Sequence, residues 1–104
     1  MQSASVYEGR LEAGDFVVYR NGKIFSPESS QKLRNHSPDG FAWGYGGSGP
    51  AQLALAILLE ETGSGELALN LYQDFKWNCI AKLPRDGFTL TTADMFPGGE
   101  IPHE

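Results

Sequence analysis

Apolar and polar positions alternate at the beginning of the chain, and this pattern changes period twice. Ser5 to Leu11 and Phe16 to Phe25 are rich in β-branched and aromatic residues, as half-buried strands are. Asn21-Gly22 sits between apolar flanks in "YRNGKIF" and tolerates positive φ at both central turn positions, so it predicts a hairpin. "EAGD" at Glu12 to Asp15 is the other turn, giving an N-terminal meander of about three strands. "SPESSQKL" then places Ser26 as a cap before Pro27 and predicts a short helix that dies at "NHSPDG". Phe41 and Trp43 alternate around Ala42 as a brief extended piece.

From Pro50 the period becomes helical. Proline suits a first helical position, and the spacing predicts a helix over 50–62 with an uninterrupted apolar run from Leu53 to Leu59. With no polar face in that run, the helix is expected to be buried on most sides. Gly63 stops it, Ser64 caps a second helix, and that helix is expected to run to Leu83 before Pro84. Its row Leu67, Leu71, Phe75 and Cys79, with Leu69, Tyr72 and Ile80 beside it, should pack on the first as a helical hairpin. "PRDG" is a turn, and "FTLTT" alternates like a strand that joins the N-terminal sheet. The fold class is α+β: an antiparallel meander, a helical hairpin and a returning strand. Residues 1–104 read as one domain, with 1–4 and 96–104 as loose tails.

Composition narrows the function. The net charge of −5 disfavours direct nucleic-acid binding through phosphate neutralisation. A single cysteine, Cys79, rules out an intrachain disulfide and fits a reducing cytoplasm; it is expected to be a small buried residue. "MQSASVYEGR" does not read as a secretory signal, and the seven apolar residues at 53–59 cannot span a bilayer. No metal pattern, cofactor motif or catalytic constellation is recognisable, and His36 and His103 receive no role, so the chain reads as a non-enzyme.

The stretch richest in chemical possibility is "WGYGGSGPAQLALA", Trp43 to Ala56. Gly44, Gly46 and Gly49 fit a dinucleotide-binding spacing, but a second helix follows where a parallel strand is required. Gly44 and Gly49 fit a phosphate loop, but Pro50 and Ala51 stand where lysine and a hydroxyl residue belong. Pro50 also occupies the last glycine position of a nucleophile elbow. Two readings remain. Loop amides together with the N–H groups of Ala51 and Gln52 could hold an anionic group, with Trp43, Tyr45, Gly46, Gly47, Ser48, Gly49, Gln52, Tyr72 and Lys76 forming a ligand cleft. In the plainer reading the glycines permit tight turns and close packing. Trp77 lies off the helix's apolar row; it is expected either to be covered by the N-terminal hairpin, the preferred placement, or to anchor an interface.

"FAWGYGGSGPAQLALAILLEETG", with "LYQDFKW" and "LPRDGFTLT" after it, resembles a family of small uncharacterised bacterial proteins, a domain of unknown function often carried by phages and plasmids. The resemblance covers Phe41 to Thr91 and implies mobile-element biology, with inhibition of host defence as an analogy. The expected function is thus a cytoplasmic, non-enzymatic accessory protein that binds a host protein or itself. The alternative is a binder of a small anionic molecule or nucleotide through the glycine loop.

Overall fold

A computed structural model of the chain describes residues 5–96 and 101–102. Three N-terminal strands, β1 (Val6–Glu12), β2 (Asp15–Arg20) and β3 (Lys23–Ile24), form the expected meander. Ala13 and Gly14 (φ 54° and 84°) and Asn21 and Gly22 (φ 51° and 84°) make the two turns with paired positive φ values, whose twist matches that of the flanking strands. The final strand, β4 (Gly87–Thr91), pairs antiparallel with β1, so the sheet order is β3-β2-β1-β4.

Among the described residues, four α-helices complete the α+β fold: α1 (Glu28–Leu33), α2 (Ser48–Thr62), α3 (Gly65–Asn78) and α4 (Thr92–Met95). The apolar run of α2 places it at the centre: Leu53, Ala54, Leu55 and Ile57 are wholly buried. Gly63 ends α2 in the left-handed conformation (φ 68°), and the Ser64 hydroxyl accepts the Leu67 N–H at 3.1 Å to start α3. On the inner face of the sheet, Gly9 leaves room for the Phe88 ring. The edges of Phe16 and Phe88 close on Trp43 at 4.7 and 4.9 Å between centroids.

The structure moves several boundaries. Helix α2 starts at Ser48, two residues before Pro50, because proline's missing N–H is equally harmless anywhere in the first turn. Helix α3 ends at Asn78; a 3-10 turn at Ile80–Lys82 follows, and the Ile80 carbonyl accepts the Gly44 N–H at 3.0 Å. The most buried positions of α3 are Ala68, Tyr72 and Lys76, one residue beyond the predicted row, whose Leu67, Leu71, Phe75 and Cys79 are half-buried. The shift follows from α3 being covered on two sides: His36 lies 5.2 Å from the Tyr72 ring, and Phe96 stacks on Phe75 at 6.0 Å.

Helix α4 was not expected. Thr91 and Asp94 close a capping box, each side chain bonding the other's backbone N–H, and this turns the chain back into the core. Phe96 is consequently buried and Ile101 packs against the core, which corrects the loose tail predicted over 96–104 at those two positions. The tail predictions for 1–4, 97–100 and 103–104 lie outside the described residues.

Candidate functional site

Each glycine of the loop between Trp43 and Pro50 faces a specific group. Gly44 has φ +83°, and a Cβ there would meet the Leu83 carbonyl oxygen at 2.9 Å and the Arg85 stem at 2.8 Å. A Cβ at Gly46 would overlap the Trp77 ring. One at Gly47 would press on the Tyr45 ring, and one at Gly49 would come within 2.7 Å of the Ala42 methyl. The glycines are therefore seats: Arg85, Trp77, Tyr45 and Ala42 occupy the space that side chains would fill.

Two of those seated groups are aromatic rings facing outward. Tyr45 is 42% exposed and Trp77 55%. Each carries a cation over its face: the Arg85 guanidinium lies 5.2 Å from the Tyr45 ring centroid, and the Lys76 ammonium lies 4.4 Å from that of Trp77. The Lys76 stem is buried, leaving the residue 8% exposed, so its ammonium is fixed where the stem emerges. Among the described residues, ion pairs join only Arg10 to Glu8 and Arg20 to Glu61. Lys76 and Arg85 are bound to ring faces instead. Trp77 thus rests on the glycine loop and stays exposed, rather than lying under the N-terminal hairpin.

The other candidate residues fall elsewhere. Trp43 is wholly buried in the core, so it cannot flank a ligand. Gln52 is wholly buried too, and its amide is saturated. Its oxygen accepts the N–H groups of His36 (2.7 Å) and Ser37 (3.0 Å), and its nitrogen donates to the Ser30 hydroxyl (2.9 Å) and the Arg34 carbonyl (3.1 Å). It brackets the 34–37 loop and has no capacity left for a ligand. The Ala51 N–H is likewise used, donating to the Gly47 carbonyl at 3.0 Å, because α2 begins earlier than predicted. Tyr72 is buried against His36, and its hydroxyl accepts from Gln73 at 3.0 Å. Burial, followed by the nearby charges of Arg34 and Lys76, holds the His36 imidazole below its ordinary pKa. Burial pushes the Cys79 thiol up to about 11, with the Asp94 charge adding to the effect and Lys82 opposing it.

Tyr45, Ser48 and Gly49 also line a cleft of about 460 Å³ at the start of α2. Asp15 and Asp39 are the charged groups of its lining. An anion at the helix terminus would share the cleft with both carboxylates.

The expectation from sequence missed Arg85 altogether. It also missed a buried cluster at the far end of α2, where Glu61 accepts from Ser5 (2.9 Å), Tyr7 (2.7 Å) and Arg20 (3.4 Å). Burial, with the Glu61 hydrogen bond and charge behind it, pushes the Tyr7 phenol far above its ordinary value. The cluster's groups satisfy one another and act as a clamp. Among the described residues, no three His, Cys, Asp or Glu side chains group to hold a metal ion, and no helix is long and apolar enough to cross a membrane.

The model of a family of unknown function, DUF6166, matches residues 7–96. Neither the curated proteins nor the solved structures contain a match to the chain.

Proposed function

Since the chain belongs to DUF6166, a family of unknown function, we propose from its own geometry that it is a non-enzymatic protein-binding module working through the Tyr45–Trp77 platform. One observation carries this reading: the glycine loop makes room for two rings at Gly46 and Gly47 while leaving each about half exposed. Tryptophan, tyrosine and arginine dominate binding hot spots because they bury much area with little entropy to lose, and seats beneath the rings remove part of that entropy in advance. The phage- and plasmid-borne resemblance makes a bacterial host protein the partner of this proposal, with inhibition of a defence factor as its use.

Immobilised wild type and a Tyr45→Ala/Trp77→Ala double variant, each with a verified melt, test this against host lysate. The expected result is one stoichiometric partner held by wild type and lost by the variant. Truncating a hot-spot tryptophan costs about 2 kcal/mol or more, or roughly thirtyfold in Kd. Identical proteins on both columns would remove the platform from the function.

A second reading rests on the cleft of about 460 Å³ at Ser48 and Gly49, which suits a small molecule. With Asp15 and Asp39 on its wall, a hydroxyl-rich or cationic ligand fits better than the anion expected from the loop alone. Native mass spectrometry of protein purified from a bacterial host would reveal such an adduct, and its persistence in Ser48→Trp would exclude this cleft.

A further inference from the structure

We infer that the partner segment seated on the platform is acidic: an apolar side chain flanked by carboxylates, the former lying on Tyr45 and Trp77 and the latter meeting Arg85 and Lys76. This rests on the platform reading above and names its partner chemistry. The chain carries 13 acidic residues against 8 basic ones, so a basic side chain has an excess of carboxylates to pair with. Arg85 and Lys76 have no carboxylate partner among the described residues, as is also true of Lys23, Lys32, Arg34 and Lys82; what sets these two apart is the exposed ring that lies under each. Even Asp86, next to Arg85 in sequence, forms no ion pair with it.

Lys76 is the more telling of the two. Only 8% of the residue is exposed, and its ammonium lies 4.4 Å from the Trp77 ring centroid with no hydrogen bond or ion pair among the described residues. Burying the stem of a charged side chain fixes the charge at one spot, and leaving it unpaired there reserves its donors. The Arg85 guanidinium, 5.2 Å from the Tyr45 ring centroid, has five N–H donors, of which a carboxylate can take two at once. Burial, then the nearby charges of Arg34 and Lys76, hold the His36 imidazole toward its neutral form, so it adds no competing charge.

The occupant follows from charge complementarity at two ranges. Close in, two fixed cations beside two rings match carboxylates beside an apolar group. Farther out, the net charge of −5 repels an extended polyanion along its length but acts little on a short acidic segment touching this patch alone. A protein segment is therefore favoured over a nucleic-acid strand.

The test is a two-dimensional NMR titration of the full chain with a capped Glu-Glu-Leu-Glu-Glu peptide, using its Lys-Lys-Leu-Lys-Lys counterpart and an oligothymidylate as controls. The acidic peptide should shift the Trp77 indole N–H and the Gly46 and Gly47 amides while leaving the buried Trp43 indole unmoved. Affinity should fall roughly tenfold in each of Arg85→Gln and Lys76→Met, and again at high salt, as charge-assisted contacts do. Lys76→Met keeps the buried stem, so its fold is preserved. Equal shifts from the basic peptide, or stronger shifts from the oligothymidylate, would overturn the inference. Sedimentation showing self-association abolished by Trp77→Ala would overturn it as well, making a second copy the occupant. If lysate capture depends on Trp77 but is indifferent to Arg85→Gln and Lys76→Met, the platform stands and its acidic partner falls; if capture ignores Trp77, both fall.

Discussion

The two ends of α2 treat charge in opposite ways. At its C-terminal end, Glu61 is 3% exposed in its side chain and accepts from Ser5, Tyr7 and Arg20, so every strong group has an internal partner. At its N-terminal end, Arg85 and Lys76 find rings rather than carboxylates, and Tyr45 and Trp77 stay open to solvent. The clamp's polar groups are satisfied within the fold, whereas the cations and rings at the other end are open to something else. Gln52 marks the border between the two, lying one turn into the helix with all four amide valences used internally.

Mutations can break this contrast, beginning with the clamp. Glu61→Ala strips the acceptor from three donors, one of them a guanidinium, and should cost about 3 kcal/mol in a urea melt. A loss below about 1 kcal/mol would make the two ends alike. Gln52→Leu keeps the volume but orphans the loop amides of His36 and Ser37, and about 2–3 kcal/mol should go the same way.

The platform responds differently. Gly46→Val drives a side chain into the Trp77 ring, with an expected cost of about 1–2 kcal/mol and a change in Trp77 fluorescence. Trp77→Ala removes the obstacle, so the double variant should recover most of that loss; a double-mutant cycle with no coupling would show that the loop is no seat.

Two titrations sharpen the picture at smaller cost. The folded protein depresses the His36 pKa below 6.5, so between the two values the unfolded chain holds more protons. Stability should therefore rise with pH up to about 6.5 and fall as pH drops below it, and His36→Gln should flatten that slope. Cys79, with its pKa near 11 in place of 9.0, should react with iodoacetamide at neutral pH roughly a hundredfold more slowly than a free thiol. Fast labelling would contradict its burial.

The architecture was legible wherever a short stretch of chain decides it. Asn21-Gly22 dictates a hairpin because few residues accept its backbone angles, and an apolar run from Leu53 to Leu59 has nowhere to go but the interior. What stayed hidden depends on residues far apart meeting. Ser5 and Tyr7 reach Glu61 across 56 and 54 positions, and no local pattern announces that. Some signals were present and unread. Thr91 and Asp94 have capping-box spacing, and a lone glutamine within a buried apolar helix has to find partners for its amide. For the site, the cluster of glycines pointed to the right loop but not to its purpose. Glycine density is the same whether amides face a ligand or a ring fills the space, and only the position of Trp77 decides between them.

The seam between β1 and β4 bears on how the chain folds. Ser5 and Thr92 exchange hydrogen bonds across 87 positions, at 2.8 Å from the Ser5 N–H to the Thr92 hydroxyl and 3.1 Å from the Thr92 N–H to the Ser5 carbonyl. Closing a loop of that length costs about 4 kcal/mol in chain entropy beyond the constant term. The β1–β2 hairpin and the α2–α3 pair need no such closure, so they can assemble early while the last strand waits for them. Until it docks, Tyr7 and Gly9 line an open sheet edge without their Leu90 and Phe88 partners. The sheet therefore closes only once β4 has docked on β1, and a chain lacking that strand carries an unfinished domain.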